Sequence, residues 1–461
     1  MSGLLSSLSQ SASALNAQSL GLQIAGRNLA NVSNSNYAEE TIVTSDHGAG
    51  VSATVQQVRD SLLDQQVMRE VGLTASLTAQ NNINTQTQAA FGENIGSTSA
   101  TASTTTATGS GLGDALSTFF NGFQALAANP TDTGARQTLL QNATTLTQTF
   151  NTTDSQLAQV QTDINTQLTG DTGSVNNLLT SIANLNTQIN RAEFNSPGSA
   201  VDLRDQRQAD LEQLAGKMSV ETAPSAGSAT EVDVYVRDAS GQPVDLVTGG
   251  SVTNQVNFNG TQVTAGASAT PIALAGGEMQ GLITVRDGTL QTLRNQLDSL
   301  AGQLATSVNS AYNPGGANGN FFQVTAGSEA GTLTVNPALT PTNLVASADG
   351  TPGDNTIATA VANLATQSFS TAAGDQIDGT FTQNYAGVVS SLGGTVAATA
   401  ANLQDQTSIQ AVITQQRSSV SGVSLDQEMT SVMQYERAYQ ASSRVISTID
   451  AMLDTVINTM S

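Results

Sequence analysis

A seven-residue spacing of apolar side chains occurs at both ends of this 461-residue chain and constrains its fold more than any other feature. At the start the repeat comprises Met1, Leu8, Leu15, Leu22 and Leu29, and at the end it comprises Leu425, Val432, Tyr439, Ile446, Leu453 and Met460. A strict seven-residue repeat predicts a helix that packs against another helix along its whole length. Ordinary amphipathic helices on a globular body would explain one such repeat. Two repeats, one at each terminus, favour a terminal coiled pair or an assembly interface.

The C-terminal repeat is accompanied by polar residues. The positions four residues after its central members are Glu436, Ser443 and Asp450, which predicts a polar second row. We expect these carboxylates either to be solvated or to pair with Arg437 or Arg444 at contacts between neighbouring subunits.

Between the two ends, the sequence predicts long helices with β-rich inserts. Apolar residues recur at three- and four-residue steps from Leu139 to Ile189, and Gly170–Gly173 are expected to form a turn or kink within this stretch. In Glu231–Arg237, valines alternate with other side chains, as in a half-buried strand. Helical spacing returns after Gly276, so the two halves of the chain must come back to each other. We expect a mainly α fold with β-rich inserts, an elongated nested multidomain rod whose terminal helices pair in a coiled-coil-like inner domain.

These changes in pattern predict four domains. They are a terminal coiled inner domain (1–37 with 421–461), a helical core domain (38–222 with 277–312 and 381–420), a β-rich outer insert (223–276) and a second small irregular or mixed insert (313–380).

Composition excludes several classes of function. The chain has no cysteine and a single histidine, which rules out disulfide frameworks, zinc ribbons, thiol nucleophiles and metal sites that need two imidazoles. With 14 cationic and 36 acidic side chains the net charge is −22, which argues against nucleic acid or anionic lipid as a partner. No apolar run reaches the roughly 18 residues of a membrane span, so we expect no membrane insertion. The N-terminus does not have the pattern of a Sec-type signal peptide.

The sequence contains only weak indications of catalytic residues. Asp46 and His47 are adjacent, but adjacent residues rarely face each other and no nucleophile motif accompanies them. The glycines of Gly109–Gly113 lack the lysine of a phosphate-binding loop. The carboxylates of Glu39-Glu40 and of Asp202 and Asp205 are more typical of solvated helix or turn charges than of paired acids in a cleft. We therefore expect no catalytic, cofactor-binding or metal-binding residues, and no enzyme activity.

Motifs at both ends resemble those of the bacterial flagellar axial proteins. The segment Asn28-Leu29-Ala30-Asn31, followed by Asn34 to Tyr37, is similar to their N-terminal signature, although Ser35-Asn36 replaces the usual Pro-Gly before Tyr37. Ser421–Glu428, Tyr435–Ser442 and Ile449–Asp454 are similar to their C-terminal motif.

Motifs in the body of the chain resemble the FlgK-like, hook-associated branch of this family. They are Phe119-Phe120, Leu126–Pro130 with Arg136, Ser181–Ile189, Asp202–Arg207 and Gly276–Leu282. Hook proteins share the terminal signatures but are expected to be mostly β between them.

The resemblance implies a structural subunit that joins the flagellar hook to the filament. Such a subunit is secreted through the flagellar type III export apparatus without a cleaved signal peptide and lies outside the cell. Its expected partners are the hook protein, the third hook-associated protein, an export chaperone and further copies of itself in a ring-like or helical layer. Its terminal segments are expected to be unfolded in the monomer and to pair on assembly. The assembly interface would comprise Leu8, Leu15, Leu22, Leu29, Asn31, Tyr37, Leu425, Val432, Tyr439, Ile446, Leu453 and Met460.

Two other functions stay open on the sequence. One is a different axial subunit, of the hook or distal-rod type. The other is a surface binding protein or hydrolase that uses an axial scaffold, with its activity in residues 223–276 or 313–380.

Overall fold

The chain is mainly α-helical, as the sequence predicts. The computed structural model describes residues 2–34, 36–46, 51–92, 111–194, 198–316 and 319–460. In these ranges it forms eleven α-helices: α1 (Ser2–Ala30), α2 (Ser61–Ala90), α3 (Leu112–Ala128), α4 (Thr133–Glu193), α5 (Val201–Lys217), α6 (Glu278–Thr284), α7 (Gln291–Tyr312), α8 (Glu329–Thr332), α9 (Thr356–Asn363), α10 (Phe381–Ser421) and α11 (Leu425–Met460). A π-helical segment, Val285–Leu290, connects α6 to α7, and Thr371–Ala373 form a 3-10 turn.

The strands form small antiparallel sheets whose neighbours in space are also neighbours in sequence. Within the described ranges the sheets are β1 (Glu40–Asp46) with β2 (Val51–Gln57); β3 (Glu221–Ser225), β4 (Ser228–Arg237), β5 (Pro243–Thr248) and β6 (Ser251–Val252); β7 (Val256–Phe258), β8 (Val263–Ala265) and β9 (Thr270–Pro271); and β10 (Phe322–Gln323) with β11 (Thr334–Val335). The β1–β2 hairpin was not expected from sequence. Its strands are rich in Ser, Thr and Gln, so they show little of the apolar alternation that identifies a strand.

The prediction of a turn at Gly170–Gly173 was wrong, because α4 runs through these residues without interruption. Leu168 and Val175 on either side are fully buried and continue one apolar face. A glycine in a helix costs about 1 kcal/mol relative to alanine. Burying a large aliphatic side chain contributes about 1.5–3 kcal/mol, so continuity of the face outweighs the glycines. Lys217 adds a salt bridge of 2.7 Å to Asp171, between the two glycines.

The chain divides into two compact units. The first comprises Met1–Ser76, Leu168–Gln280 and Gln404–Ser461, and the second comprises Leu77–Gln167 and Gly281–Leu403. The first unit contains the terminal helices, the β1–β2 hairpin, α5 and the sheets β3–β6 and β7–β9. Its interior is aliphatic, with buried residues such as Ile182 and Ile189 of α4, Leu214 of α5 and Val234 and Leu246 of the sheet.

The second unit has an aromatic core. Its members are Phe119, Phe120 and Phe123 of α3, Tyr312 of α7, and Phe321, Phe322, Phe369 and Phe381. Neighbouring ring centroids lie 4.8 to 5.9 Å apart, mostly in edge-to-face or tilted geometry. Because these rings come from distant parts of the sequence, the cluster joins segments that have no local reason to meet.

An asparagine on a helix anchors each of the four sheets in the described residues. Its Oδ1 accepts from the backbone N–H of one strand residue, and its Nδ2 donates to the C=O of the same residue. The pairs are Asn28 with Glu40 of β1, Asn176 with Val256 of β7, Asn186 with Val232 of β4, and Asn309 with Phe322 of β10, with N···O distances of 2.8 to 3.2 Å. A side-chain amide has the donor and acceptor of a peptide group, so each asparagine acts as one extra rung of the ladder.

Candidate functional site: the paired terminal helices

The terminal helices α1 and α11 pack against each other within the first unit. A Cβ added to Gly21 of α1 would lie 2.6 Å from Cε1 of Tyr435 in α11, so the tyrosine ring rests on the Gly21 backbone. Seven residues further along α1, Asn28 donates from Nδ2 to Oε1 of Glu428 at 3.0 Å, and Glu428 precedes Tyr435 by seven residues. Because the position along α1 rises as the position along α11 falls, the two helices are antiparallel.

The leucines do not occupy the centre of the contact on α1, which includes the small residues Gly21 and Ala25. Its most buried residues are Gly21, Ile24, Ala25 and Asn28. The predicted leucine repeat, Leu8, Leu15, Leu22 and Leu29, is half-buried. Small residues allow the two backbones to approach closely, and the leucines lie beside the contact. A single chain therefore leaves part of the predicted repeat uncovered.

On α11 the predicted repeat is also only partly covered. Val432, Ile446 and Leu453 are half-buried, whereas Leu425 and Tyr439 are exposed to 51% and 39%. The side chain of Met460 lies outside the described residues.

A second row of α11 lies three residues after the repeat and contributes Tyr435, Ser442 and Ile449, of which Ile449 is buried. The positions four residues on, Glu436, Ser443 and Asp450, are exposed. The helix pair therefore covers the row three residues after the repeat, whereas the predicted polar row, four residues after it, is exposed. The pairing of Glu436 and Asp450 with neighbouring subunits stays a prediction.

Asn28 joins the terminal helices to the β1–β2 hairpin. It is 1% exposed, and its Oδ1 accepts from the Tyr37 hydroxyl at 2.7 Å as well as from Glu40 N. Its Nδ2 donates both to Glu40 O and to Glu428, so all four hydrogen-bonding positions of the amide are used. Tyr37, a predicted interface residue, is buried here, and Asn31 donates to the carbonyl of Arg27 at the end of α1.

Carboxyl groups surround this amide. The Glu40 side chain is fully buried and forms a 2.6 Å salt bridge with the more exposed Arg27. Burial raises the pKa of Glu40, and burial together with repulsion from Glu428 raises the pKa of Glu39. Glu39 and Glu40 therefore keep their protons to higher pH than exposed glutamates do.

An ion-pair network connects the segments next to this junction. Arg59 contacts Asp205 of α5 at 2.6 Å and Asp64 of α2 at 3.2 Å, and Arg417 of α10 pairs with Glu212 of α5. Burial raises the pKa of Asp205, although its hydrogen bond from Arg59 opposes the shift. The sequence predicts a solvated carboxylate at Asp205, and this prediction was wrong, because the side chain is 12% exposed and forms an ion pair with Arg59.

A groove of about 610 Å³ opens beside the network, between residues 31–34 and 36–38 on one side and the last turns of α10 on the other. Amide and hydroxyl side chains dominate its lining, including Asn31, Asn34, Gln410 and Thr414. Among the described residues, no three His, Cys, Asp or Glu side chains are arranged to hold a metal ion. His47 lies outside the described residues. None of the helices in the described ranges combines the length and apolarity of a membrane span.

Sequence reasoning missed three residues at the centre of the site, Gly21, Asn28 and Tyr435. Asn28 and Tyr435 both fall within the family motifs, but the predicted interface comprises their neighbours and not these two residues. Ala14, Gly21 and Asn28 follow the same seven-residue spacing as the leucines. A search for small residues at that spacing would have identified the contact face of α1.

Comparison with known proteins places the chain among flagellar components. Residues 98–323 match the flagellar hook-associated protein FlgK helical domain, and residues 414–460 match the flagellar basal body rod FlgEFG protein C-terminal family. Flagellar hook-associated protein 1 of Bacillus subtilis is 26% identical, with 97% of this chain and 96% of the relative aligned. The Escherichia coli protein of the same name is 24% identical over 97% and 98% of the two chains.

A solved structure has a similar fold. The flagellar hook junction protein FlgK from Burkholderia pseudomallei superimposes with a TM-score of 0.61 and 18% identity, and the match covers 77% of this chain and all of that one. The matches extend over both the helical body and the C-terminal helix, in the order that the motifs predict. The chain belongs to the FlgK family of flagellar hook-associated proteins, which are structural components of the bacterial flagellum.

Proposed function

We propose that this chain is a junction subunit that joins the flagellar hook to the filament and assembles through its terminal helices, without catalysis. The observation that carries the proposal is the incomplete burial of both terminal repeats. Leu15, Leu22 and Leu29 are half-buried, and Leu425 and Tyr439 are exposed. An exposed apolar row on a long helix is stable in water mainly when another surface covers it.

The partners follow from the same proposal. The hook protein lies on one side of the layer, the third hook-associated protein lies on the other, and further copies of this chain lie beside it. The chain reaches this position through the flagellar type III export apparatus, with a chaperone before export and without a cleaved signal peptide. The absence of cysteine suits this route, because a thiol-free chain cannot form wrong disulfides when it meets an oxidising exterior.

Deletion of residues 425–461 tests the proposal. The truncated chain should keep a folded second unit, measured by the retained helical circular dichroism signal, but cells that carry only this chain should build hooks without filaments. A matched full-length variant, Gly26→Ala, changes an exposed position of α1 with no neighbour within 4 Å and should leave filaments attached. Filaments on the hooks of the truncated strain would contradict the proposal.

Electron micrographs of a deletion strain separate the alternatives. A strain without the gene should show bare hooks if the chain is a junction subunit, and no hooks if it is a hook or distal-rod subunit. A binding or hydrolysis activity in the intact chain towards surface glycans would instead favour the surface-protein alternative.

A further inference from the structure

Exposed apolar side chains are concentrated in one short part of the chain. Of the fourteen large apolar side chains exposed in the described residues, nine lie between Ile409 and Met452, in the last third of α10 and in α11. Single exposed apolar residues are normal on any protein surface, whereas a dense group indicates a surface that another molecule covers. Part of this group extends beyond the terminal repeat onto α10, where the seven-residue pattern is absent.

The α10 members share one side of the helix. Ile409, Val412 and Val420 are exposed to 48%, 65% and 45%. They stand three and eight residues apart, which places them on one face over about three turns. Arg417, on a neighbouring face, is buried in the ion-pair network described above. We call Ile409, Val412 and Val420 the α10 face.

Charge indicates what covers the α10 face. Each copy of the chain carries a net charge of −22, so a contact between two copies costs least where the meeting surfaces carry no unpaired carboxylates. No Asp or Glu occurs between Asp405 and Asp426, a stretch that contains the whole α10 face. Asp64, Glu70 and Glu212 of other helices contact α10 in this stretch, but each is ion-paired or hydrogen-bonded there. A second copy can therefore approach this face without burying an unpaired acid, which would be costly. A cationic partner would find no counter-charge on it.

A layer of identical subunits requires two different contact surfaces on each copy. Head-to-tail contacts between unlike surfaces close into rings or continue as helices, whereas a self-complementary surface stops at a dimer. The half-buried leucines of α1 supply the second surface, which we call the α1 face: Leu15, Leu22 and Leu29.

We propose that the α10 face of one copy packs on the α1 face of the next copy in the layer. This inference rests on the proposed function, since it names the lateral contact of the assembled subunits.

Cysteine crosslinking tests the contact, because the chain contains no cysteine of its own. The double variant Val412→Cys, Leu22→Cys is expressed as the sole copy in cells, and isolated flagella are oxidised and separated on a non-reducing gel. We expect a ladder of dimers, trimers and larger species, which dithiothreitol abolishes. The matched control replaces Val412→Cys with Leu62→Cys, at a site on α2 that is 62% exposed, and should yield no ladder.

Three outcomes would overturn the inference. They are a disulfide dimer from Val412→Cys alone, a crosslink to a different flagellar protein, and no crosslinked species from flagella whose filaments are attached.

A second variant covers the case in which the cysteines disturb assembly. Val412→Asp should melt at the temperature of the unmodified chain, because the side chain is exposed, yet filament attachment should fall at least tenfold relative to Leu62→Asp. Normal attachment with Val412→Asp would refute this contact but leave the proposed function standing. Normal attachment after removal of residues 425–461 would refute the proposed function itself.

Discussion

The asparagine anchors predict that a sheet can be loosened from its helix without loosening the rest of the molecule. Asn186 is fully buried on α4 and pairs with both backbone groups of Val232 in β4. It also donates to the carbonyl of Gly249 at 2.6 Å and accepts from Arg207 Nη1 at 2.8 Å. Arg207 is only 8% exposed, and this burial lowers its pKa to about 10. Asn186→Ala removes all four hydrogen bonds without adding bulk.

The magnitude follows from the groups that lose their partner. Arg207 keeps its bond to the carbonyl of Thr230, so three backbone groups are left unpaired. A buried polar group without a partner costs about 1–3 kcal/mol, and half-buried Val232 recovers part of this through water. We expect Asn186→Ala to lower the free energy that holds the β3–β6 sheet on α4 by about 2–4 kcal/mol. Since 1.4 kcal/mol corresponds to a factor of ten, exchange there should accelerate by roughly 30- to 1,000-fold.

Hydrogen exchange followed by mass spectrometry measures this effect region by region. Peptides from β4 to β6 should lose protection in Asn186→Ala, whereas peptides from α3 and α7 in the second unit should be unchanged. The matched control is Asn184→Ala, an exposed asparagine on the same helix. If Asn186→Ala exchanged like the control, the anchor would contribute no energy. If protection fell equally in both units, the sheet would not be held separately and the reasoning would be refuted.

Three further predictions concern the helix pair and the second unit. Gly21→Ala should destabilise the α1–α11 contact by about 1–3 kcal/mol, because the new Cβ meets the ring of Tyr435. Gly26→Ala, in open space, should stabilise α1 by up to about 1 kcal/mol. Hydrogen-exchange rates of α11 peptides report both effects, and equal effects would contradict the close approach of Gly21 to Tyr435. Glu39 has a pKa raised above its ordinary value of 4.5, so its contribution to stability is present below that value and is lost as pH rises through the folded-state pKa. Glu39→Gln should therefore reduce the loss of stability that thermal melts show as the pH rises above 4.5, and an unchanged pH profile would count against burial as the cause. Phe119→Ala should lower the free energy of unfolding of the second unit, measured with denaturant, by about 3–5 kcal/mol, because Phe119 is fully buried among other rings. A decrease below about 1 kcal/mol would show that the aromatic cluster is not tightly packed.

For the terminal helices, the sequence pattern predicts the pairing but not the residues at the contact. The seven-residue repeat predicts two helices that need partners, and α1 and α11 do pair. It places the contact at Leu22 and Leu29, however, whereas the structure centres it on Gly21, Ala25 and Asn28. A seven-residue repeat indicates which side chains are apolar and need to be covered. It does not distinguish the surface covered within one chain from a surface left for another.

At the glycines of α4 and in the β1–β2 hairpin, local sequence preference does not predict the structure. Local propensity favours a break at Gly170–Gly173, but the buried face on both sides continues the helix. The hairpin lacks apolar alternation and is fixed by the bidentate pairing of Asn28 with Glu40. In both places tertiary contacts outweigh a weak local preference.

The sequence by itself determined the mainly α fold, the β-rich inserts, the need of both terminal repeats for a partner and the absence of cysteine chemistry. These properties depend on periodicity and composition, which are local or summed over the chain. Only the tertiary structure decided the antiparallel register of α1 and α11, the anchoring of each described sheet by one asparagine, and which apolar side chains stay exposed. Those features depend on which distant residues become neighbours, and an asparagine or a leucine carries no sign of its partner until the chain has folded.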